Sequence, residues 1–309
     1  MKKKDKKNSI QYWNRNADDW EKMAYNKEKK FLRFPSSEQR ENITVDEIKK
    51  IAPSKNVSII DLGCANGELV RHLLRNGFKN VRGVDNSKKM IALAKQFLKK
   101  EMPKTDADDV FSVDDVDNLK EVGPFDIITG MGIIEYLLDS NSFFSKISKG
   151  LTKGGYAFIE SRNKLFNLFS ANHYTKESDI ASLLKSAEDI ARFSPIQDRE
   201  EIEKIVFKTF VSIGDHLKAT KAQKSKKRNK FESYPFNLPQ YTPQEIESLC
   251  QKHSLKVQYV VYYHPHPFVP KFMHEFPQTF NRMALGMESL GYTPVGATLC
   301  SSFIAVIQK

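Results

Sequence analysis

Short apolar segments alternate with helix-like segments through the first half of the chain, and this alternation limits the possible folds more than any other feature. Strands are predicted at residues 57–62, 81–84, 110–113, 125–129 and 156–160, and helices at residues 68–76, 88–100 and 143–149. A strand that is followed by a helix and then by another strand forms a parallel βαβ unit. The pattern therefore predicts an α/β fold built on a doubly wound sheet.

The regular alternation ends after residue 162. Residues 162–235 are predicted to be largely helical. Further helices are predicted at residues 37–51, 244–253 and 280–290, and two late strands at residues 256–263 and 297–307. We therefore expect an N-terminal helical lid at residues 1–52, a ligand-binding core at 53–162, a helical cap with a basic loop at 163–240, and a segment at 241–309 that completes the sheet and carries a proline- and aromatic-rich lid at 265–292.

The chain carries a formal net charge of +11, and much of it lies in two lysine-rich runs at residues 2–7 and 218–230. Such runs are usually solvated tails or loops, although they also suit an anionic substrate or membrane surface.

The three cysteines, Cys64, Cys250 and Cys300, are too scattered for a disulfide framework or a zinc site, which favours a reducing compartment. No apolar run is long enough to span a membrane and no signal peptide is recognisable, so we predict a cytoplasmic protein.

The sequence DLGCANG at residues 61–67 joins the first predicted strand to the next helix through a glycine-containing turn. Such a turn places the backbone close to a ligand. A dinucleotide-dependent dehydrogenase would require GxGxxG here, and a P-loop would require a Lys-Ser/Thr pair; the segment contains neither. Asp61 ends the strand just before this turn, where its carboxylate would repel a pyrophosphate and attract a cationic amino-acid group.

Acidic residues also follow the later strands. Asp85 ends the second strand, where a carboxylate is placed to accept hydrogen bonds from ribose hydroxyls. Asp115 and the backbone of Val116 follow the third strand and are candidates for contacting an adenine edge, while Glu135 and Tyr136 follow the fourth. Because open α/β sheets bind ligands at the carboxyl ends of their strands, we expect these residues to share one site.

Together these motifs resemble those of the class I S-adenosylmethionine-dependent methyltransferases over residues 55–162. DLGCANG resembles the family's DxGxGxG motif, with Ala65 in place of the middle glycine. The segment GVDNS at residues 83–87 resembles its ribose-binding motif, and DVDNL at 115–119 its adenine-side motif. Residues 125–137 and LTKGG at 151–155 are similar to the segment that faces the methyl group and to the LKPGG turn. Within the family, the chain is most similar to the ubiquinone-biosynthesis-like methyltransferases of small molecules.

The resemblance implies a Rossmann-like, seven-stranded sheet whose final two strands form an antiparallel hairpin, with S-adenosylmethionine as the cofactor. Tyr136 stands where the family more commonly has histidine. The residues that we expect to bind the cofactor are Asp61, Gly63, Cys64, Ala65, Gly67, Asp85, Asn86, Asp115, Val116, Gly130 and Met131.

The predicted reaction is methyl transfer to an oxygen of a small molecule such as a sugar, a quinone precursor or a lipid-linked metabolite. The alternatives are an RNA methyltransferase and a non-catalytic scaffold subunit with the same fold. RNA is the less favoured partner because no aromatic residues interleave with the lysines of the second basic run. His264 and His266 lack a third ligand at useful spacing, so no metal is predicted. The candidate catalytic residues are His173, His264, Glu135 and Tyr136, although each histidine also suits a structural role.

Overall fold

A computed structural model describes residues 3–25, 34–119, 122–171, 179–187, 189–218 and 238–309 of the chain. Its centre is a seven-stranded sheet with the strand order β3-β2-β1-β4-β5-β7-β6. The strands are β1 (Ser58–Leu62), β2 (Asn80–Asp85), β3 (Phe111–Val113), β4 (Phe125–Gly130), β5 (Leu151–Arg162), β6 (Lys256–Pro265) and β7 (Cys300–Gln308).

Helices surround this sheet and connect its strands. The described α-helices are α1 (Lys3–Tyr25), α2 (Ser36–Ile51), α3 (Glu68–Arg75), α4 (Lys88–Glu101), α5 (Ala107–Val110), α6 (Ser140–Gly150), α7 (Asn167–Ser170), α8 (Ile180–Ala187), α9 (Arg199–Lys218), α10 (Pro243–Gln251), α11 (Lys271–Glu275), α12 (Pro277–Gly286) and α13 (Gly296–Leu299). Short 3-10 helices occupy Ile134–Tyr136, Lys164–Phe166, Ile190–Phe193 and Glu288–Tyr292. Within these residues, no helix is long and apolar enough to cross a membrane.

The strand pairing confirms the predicted α/β fold with an antiparallel final hairpin. Strands β1 to β5 pair in parallel, whereas β7 runs antiparallel to both β5 and β6. Ser302 in β7 pairs with Arg162 on one side and with Tyr263 on the other. The end of β6 therefore lies at the same edge of the sheet as the carboxyl ends of the parallel strands.

Both faces of the sheet are buried. Ile60 and Ile128 belong to one apolar cluster, whereas their neighbours Ile59 and Ile127 belong to the cluster on the opposite face. Successive side chains of a strand point to opposite faces, so a strand covered on both sides needs a continuous apolar run. This requirement explains why β1 and β4 are recognisable in the sequence.

Several element boundaries were predicted wrongly; helix α6, for example, begins at Ser140 rather than at residue 143. Strand β5 begins at Leu151 rather than at residue 156, because Gly154 adopts a φ of 77° and the register with β4 shifts between Phe125 and Ile127. The segment before β7 forms helix α13, so the last strand begins at Cys300 rather than at residue 297. The helix predicted at 280–290 is divided into α12 and a 3-10 turn. The proposed division into four segments stays a prediction.

Helix α10 begins with a capping box formed by Thr242 and Glu245. The Thr242 side chain accepts a hydrogen bond from the Glu245 backbone N–H, and the Glu245 carboxylate accepts one from the Thr242 N–H. These reciprocal bonds satisfy two backbone donors that a helix start otherwise leaves unpaired. The sequence Thr242-Pro243 is typical of such a helix start, with threonine as the N-cap and proline in the first turn.

We expect Thr242→Ala to lower the free energy of unfolding by about 1 kcal/mol, because the buried N-cap oxygen is lost. Chemical denaturation monitored by circular dichroism measures this change. Ser248→Ala, at an exposed position of the same helix, serves as the control and should change stability much less. Equal effects of the two substitutions would contradict a specific role for the cap.

Candidate active site

The turn after β1 has a backbone that only small residues tolerate. Gly63 and Gly67 have φ values of 78° and 75°, in the left-handed region that favours glycine. A Cβ atom at Gly63 would lie 2.7 Å from the Ile133 side chain, and one at Gly67 would lie 2.4 Å from Phe111. Ala65 also has a positive φ of 47°, which shows that alanine is accommodated where the family motif has glycine. The turn therefore packs closely against Ile133 and Phe111, and this packing excludes larger residues at Gly63 and Gly67.

Asp85 connects this turn to the loop after β2. One carboxylate oxygen accepts a hydrogen bond from the Ala65 N–H at 3.0 Å, and the other accepts one from the Ser87 N–H at 2.8 Å. Burial raises the pKa of Asp85, whereas the two backbone hydrogen bonds lower it. Asn86 lies between these contacts, in the loop that leads to α4. The two segments predicted to bind the cofactor are thus physically linked.

The loop after β3 places Asp115 near the same edge. Its carboxylate accepts hydrogen bonds from the Asp117 N–H at 3.1 Å and from the Asn118 side-chain amide at 3.2 Å. It also forms a 2.6 Å ion pair with Lys6 of α1. Val116 packs its side chain into the core, so only its backbone remains available to a ligand.

Three of the residues predicted to bind the cofactor, Cys64, Gly130 and Met131, are buried. The Cys64 side chain packs between β1 and β2, where its sulfur lies 2.9 Å from the position that a Cβ of Gly83 would take. Its thiol therefore faces the core, and the predicted contact with a cofactor is restricted to the backbone. Met131 is also buried, and its sulfur accepts a 3.4 Å hydrogen bond from Thr44 of α2. Gly130, at the end of β4, packs against Ile133.

A buried polar cluster that the sequence analysis missed lies beside Asp61. The Asp61 carboxylate accepts a 2.7 Å hydrogen bond from Thr129 of β4. On the same side, the Glu160 carboxylate accepts a 2.7 Å hydrogen bond from the Tyr263 hydroxyl and lies 3.3 Å from the Arg40 guanidinium. Burial raises the pKa of Asp61 to about 6, although Thr129 and Arg40 oppose this shift. The sequence feature that could have indicated this cluster is the presence of polar residues at the ends of otherwise apolar strands.

Glu135 belongs to the same edge and is buried in the 3-10 turn after β4. One of its carboxylate oxygens accepts a 2.8 Å hydrogen bond from the Arg162 N–H, and the other lies 3.6 Å from the Arg162 guanidinium. Burial raises the pKa of Glu135 above its ordinary value; Arg162 lowers it and the nearby Glu160 raises it further. The neighbouring Tyr136 packs edge-on against Trp13 of α1, with ring centroids 5.9 Å apart.

Of the two histidines predicted to be catalytic, the structure describes His264 but not His173. His264 lies near the end of β6 with a φ of 59°, stacks on Phe34 at 4.7 Å and pairs its Nδ1 with the Ser301 hydroxyl at 3.0 Å. These contacts hold its ring between the N-terminal segment and β7. His173 and almost all of the second lysine run lie outside the described residues. Among the described residues, no cluster suited to a metal ion is present.

Comparison with known proteins identifies the class to which this fold and site belong. A family model described as "Methyltransferase domain" matches residues 53–211. The chain belongs to this methyltransferase family. The match confirms the predicted methyltransferase family, whose cofactor is S-adenosylmethionine.

Two similar relatives are ubiquinone biosynthesis O-methyltransferases. The one from Pelagibacter ubique (strain HTCC1062) is 38% identical over 112 residues, which cover 36% of this chain and 45% of the relative. The one from Bartonella quintana (strain Toulouse) is 26% identical over 200 residues, covering 64% of this chain and 74% of the relative. The first match thus spans less than half of the relative's length.

A solved structure shares the fold at low sequence identity. Magnesium protoporphyrin IX methyltransferase from Synechocystis PCC 6803, solved with bound SAH, is 12% identical to this chain. The alignment covers 99% of both chains with a TM-score of 0.54. This likeness supports the seven-stranded methyltransferase fold.

We expect Asp85→Ala to weaken S-adenosylmethionine binding by about tenfold to a hundredfold, because the substitution removes a charged hydrogen-bond acceptor and releases the Ala65 turn. Isothermal titration calorimetry measures the affinity. Asp108→Ala removes an exposed carboxylate away from the site and should leave the affinity unchanged. Near-normal binding by Asp85→Ala would contradict the assignment of Asp85.

Proposed function

We propose that the chain transfers the methyl group of S-adenosylmethionine to an oxygen atom of a small molecule. The observation that carries this proposal is the row of buried acidic side chains at the carboxyl edge of a methyltransferase sheet, with two arginines among them. A site of this composition suits a ligand that has a cationic amino group, a carboxylate and ribose hydroxyls. When bound, S-adenosylmethionine supplies an activated methyl group on a sulfonium.

In this proposal, each end of the cofactor has residues of complementary chemistry. Asp61 attracts the amino group of the methionine portion, and Arg40 pairs with its carboxylate. Asp85 accepts hydrogen bonds from the ribose, while Asp115 contacts the adenine amine. The glycine turn keeps the backbone near the cofactor free of side chains. This assignment extends the sequence prediction by adding Arg40, which contacts Glu160 and influences the pKa of Asp61.

We assign the role of general base to Glu135. Transfer to a hydroxyl oxygen requires the acceptor proton to leave, and a carboxylate with a raised pKa accepts a proton more readily than an ordinary one. The adjacent Arg162 holds the carboxylate in place through its backbone N–H and its guanidinium. Tyr136 and His264 are proposed to line the acceptor pocket, and His173 remains a candidate on sequence grounds.

The proposed acceptor is a quinone precursor, with a phosphorylated or lipid-linked sugar as a further candidate. The two bacterial relatives are ubiquinone biosynthesis O-methyltransferases, and this likeness supports an oxygen acceptor of the first kind. The lysines of residues 218–230 suit an anionic or membrane-associated form of such a molecule. A cytoplasmic location and peripheral membrane contact remain predictions from the sequence.

We expect Glu135→Gln to lower kcat by about a hundredfold or more, because the amide cannot accept the acceptor proton. S-adenosylmethionine binding should persist. Transfer of a labelled methyl group to 3,4-dihydroxybenzoate, a small acceptor of the quinone-precursor type, measures the rate. Glu200→Gln, at an exposed position of α9, is the matched control and should keep full activity.

The same assay gives the pH dependence. Glu135 acts as a base only when deprotonated, and burial raises its pKa, so wild-type kcat should increase as pH rises through that elevated pKa. Glu135→Gln should lose this increase and retain a low, flat rate. An unchanged kcat and pH profile in Glu135→Gln would exclude Glu135 as the base.

A further inference from the structure

Helix α1 lies across the carboxyl edge of the sheet and contacts the loops after three strands. Asn14 accepts hydrogen bonds from the Ser87 hydroxyl at 3.0 Å and from the Lys89 N–H at 3.3 Å, beside the proposed ribose position. Trp13 packs on Tyr136, beside the proposed methyl position. Lys6 reaches the loop after β3, where adenine is expected. Helix α1 therefore lies over the proposed ribose, methyl and adenine positions of the cofactor site.

Lys6 is bound in this loop as a nearly buried cation. Its side chain is 10% exposed, and its ammonium lies 2.6 Å from Asp115 Oδ1. The same ammonium also pairs with the Asp117 carboxylate, whose side chain is 11% exposed. Hydrogen bonds between charged partners of this kind are among the stronger ones in proteins. The Asp115 carboxylate therefore binds the Lys6 ammonium firmly.

The loop itself does not depend on Lys6 for its shape. The Asp117 carboxylate accepts hydrogen bonds from the Leu138 N–H at 3.2 Å. The Lys146 ammonium donates to the backbone carbonyls of Val116 and Asp117 at 2.7 and 2.6 Å. Asp115 is further held by the backbone N–H of Asp117. The contact with Lys6 is therefore added to a loop that the core already supports.

The ammonium of Lys6 and the exocyclic amine of adenine are both hydrogen-bond donors. Asp115 Oδ1 already accepts from Lys6 and from the Asp117 N–H, so its two lone pairs are occupied, and Oδ2 accepts from the Asn118 side-chain amide. We propose that α1 is a displaceable plug of the cofactor site, in which Lys6 occupies the position of the adenine amine at Oδ1 and leaves Asp115 when the cofactor binds. This inference rests on the proposed function, because it takes S-adenosylmethionine as the ligand.

The test compares wild type with Lys6→Met, which keeps an unbranched side chain of nearly the same length and removes its donor. Lys7→Met, at an exposed position of the same helix, is the matched control. Calorimetry with S-adenosylhomocysteine should give about tenfold tighter binding for Lys6→Met than for wild type and Lys7→Met, because one charged competitor is removed. Thermal unfolding of each variant checks that the fold is retained.

Adenosine and inosine locate the effect at the base. Inosine has a carbonyl oxygen in place of the adenine amine, so it gains nothing when Asp115 is released. We expect Lys6→Met to bind adenosine more tightly than wild type and to bind inosine no better. An equal gain for both nucleosides would overturn the assignment of Lys6 to the amine position.

Fluorescence reports the displacement directly, because the two tryptophans of the chain, Trp13 and Trp20, both lie on α1. Saturation of wild type with S-adenosylhomocysteine should shift tryptophan emission to longer wavelength as Trp13 leaves Tyr136. Equal or weaker binding by Lys6→Met, or binding without an emission shift, would show that α1 stays in place. Either result would overturn the proposal that α1 is a displaceable plug. Absence of S-adenosylhomocysteine binding in all three proteins would instead contradict the proposed function, and the inference that rests on it would fail as well.

Discussion

The two hydrogen bonds that the Asp85 carboxylate accepts hold together the part of the molecule on which the proposed chemistry depends. They connect the turn after β1 to the loop that starts α4. A carboxylate that is bonded to backbone N–H groups has a fixed orientation, and its remaining lone pairs point away from those groups. This part of the proposed cofactor site is consequently held in place by the protein's own hydrogen bonds, and Gly63 and Gly67 allow the turn to pack closely against Ile133 and Phe111.

The remainder of the carboxyl edge is shaped by the cost of burying charge. Asp61, Glu135 and Glu160 are each less than 10% exposed, and isolated buried carboxylates are strongly unfavourable. Arg40 and Arg162 reduce this cost through ion pairs. A zwitterionic ligand such as the proposed cofactor would add further charges of both signs to this region. Helix α1 contributes a cation of its own at the opposite end of the site.

The sequence was sufficient for features that depend on local chemistry. Apolar runs in the sequence located β1 and β4. The turn at residues 61–67 was also recognisable, because its backbone conformation restricts which residues can stand there, and this turn indicated the class of ligand. The Thr242 cap was also recognisable, since capping depends on residues that are close in the chain. Strand β5 was harder, because its first residues include two glycines that are typical of a turn.

Contacts between distant segments could not be predicted in the same way. Tyr263 and Glu160 meet only because β7 pairs with both β5 and β6, and this arrangement is invisible in a single sequence. Lys6 looked like part of a solvated basic run, yet the fold carries it to Asp115, which lies more than a hundred residues later. Cys64 illustrates the converse, since a residue inside a binding motif directs its side chain into the core.

We propose that the site at the carboxyl edge of the sheet binds S-adenosylmethionine rather than another nucleotide cofactor. Calorimetric titration of the full chain with S-adenosylmethionine, and separately with NADH, tests this proposal most directly. We predict saturable one-to-one binding of S-adenosylmethionine and no binding of NADH. Binding of NADH without binding of S-adenosylmethionine would contradict it.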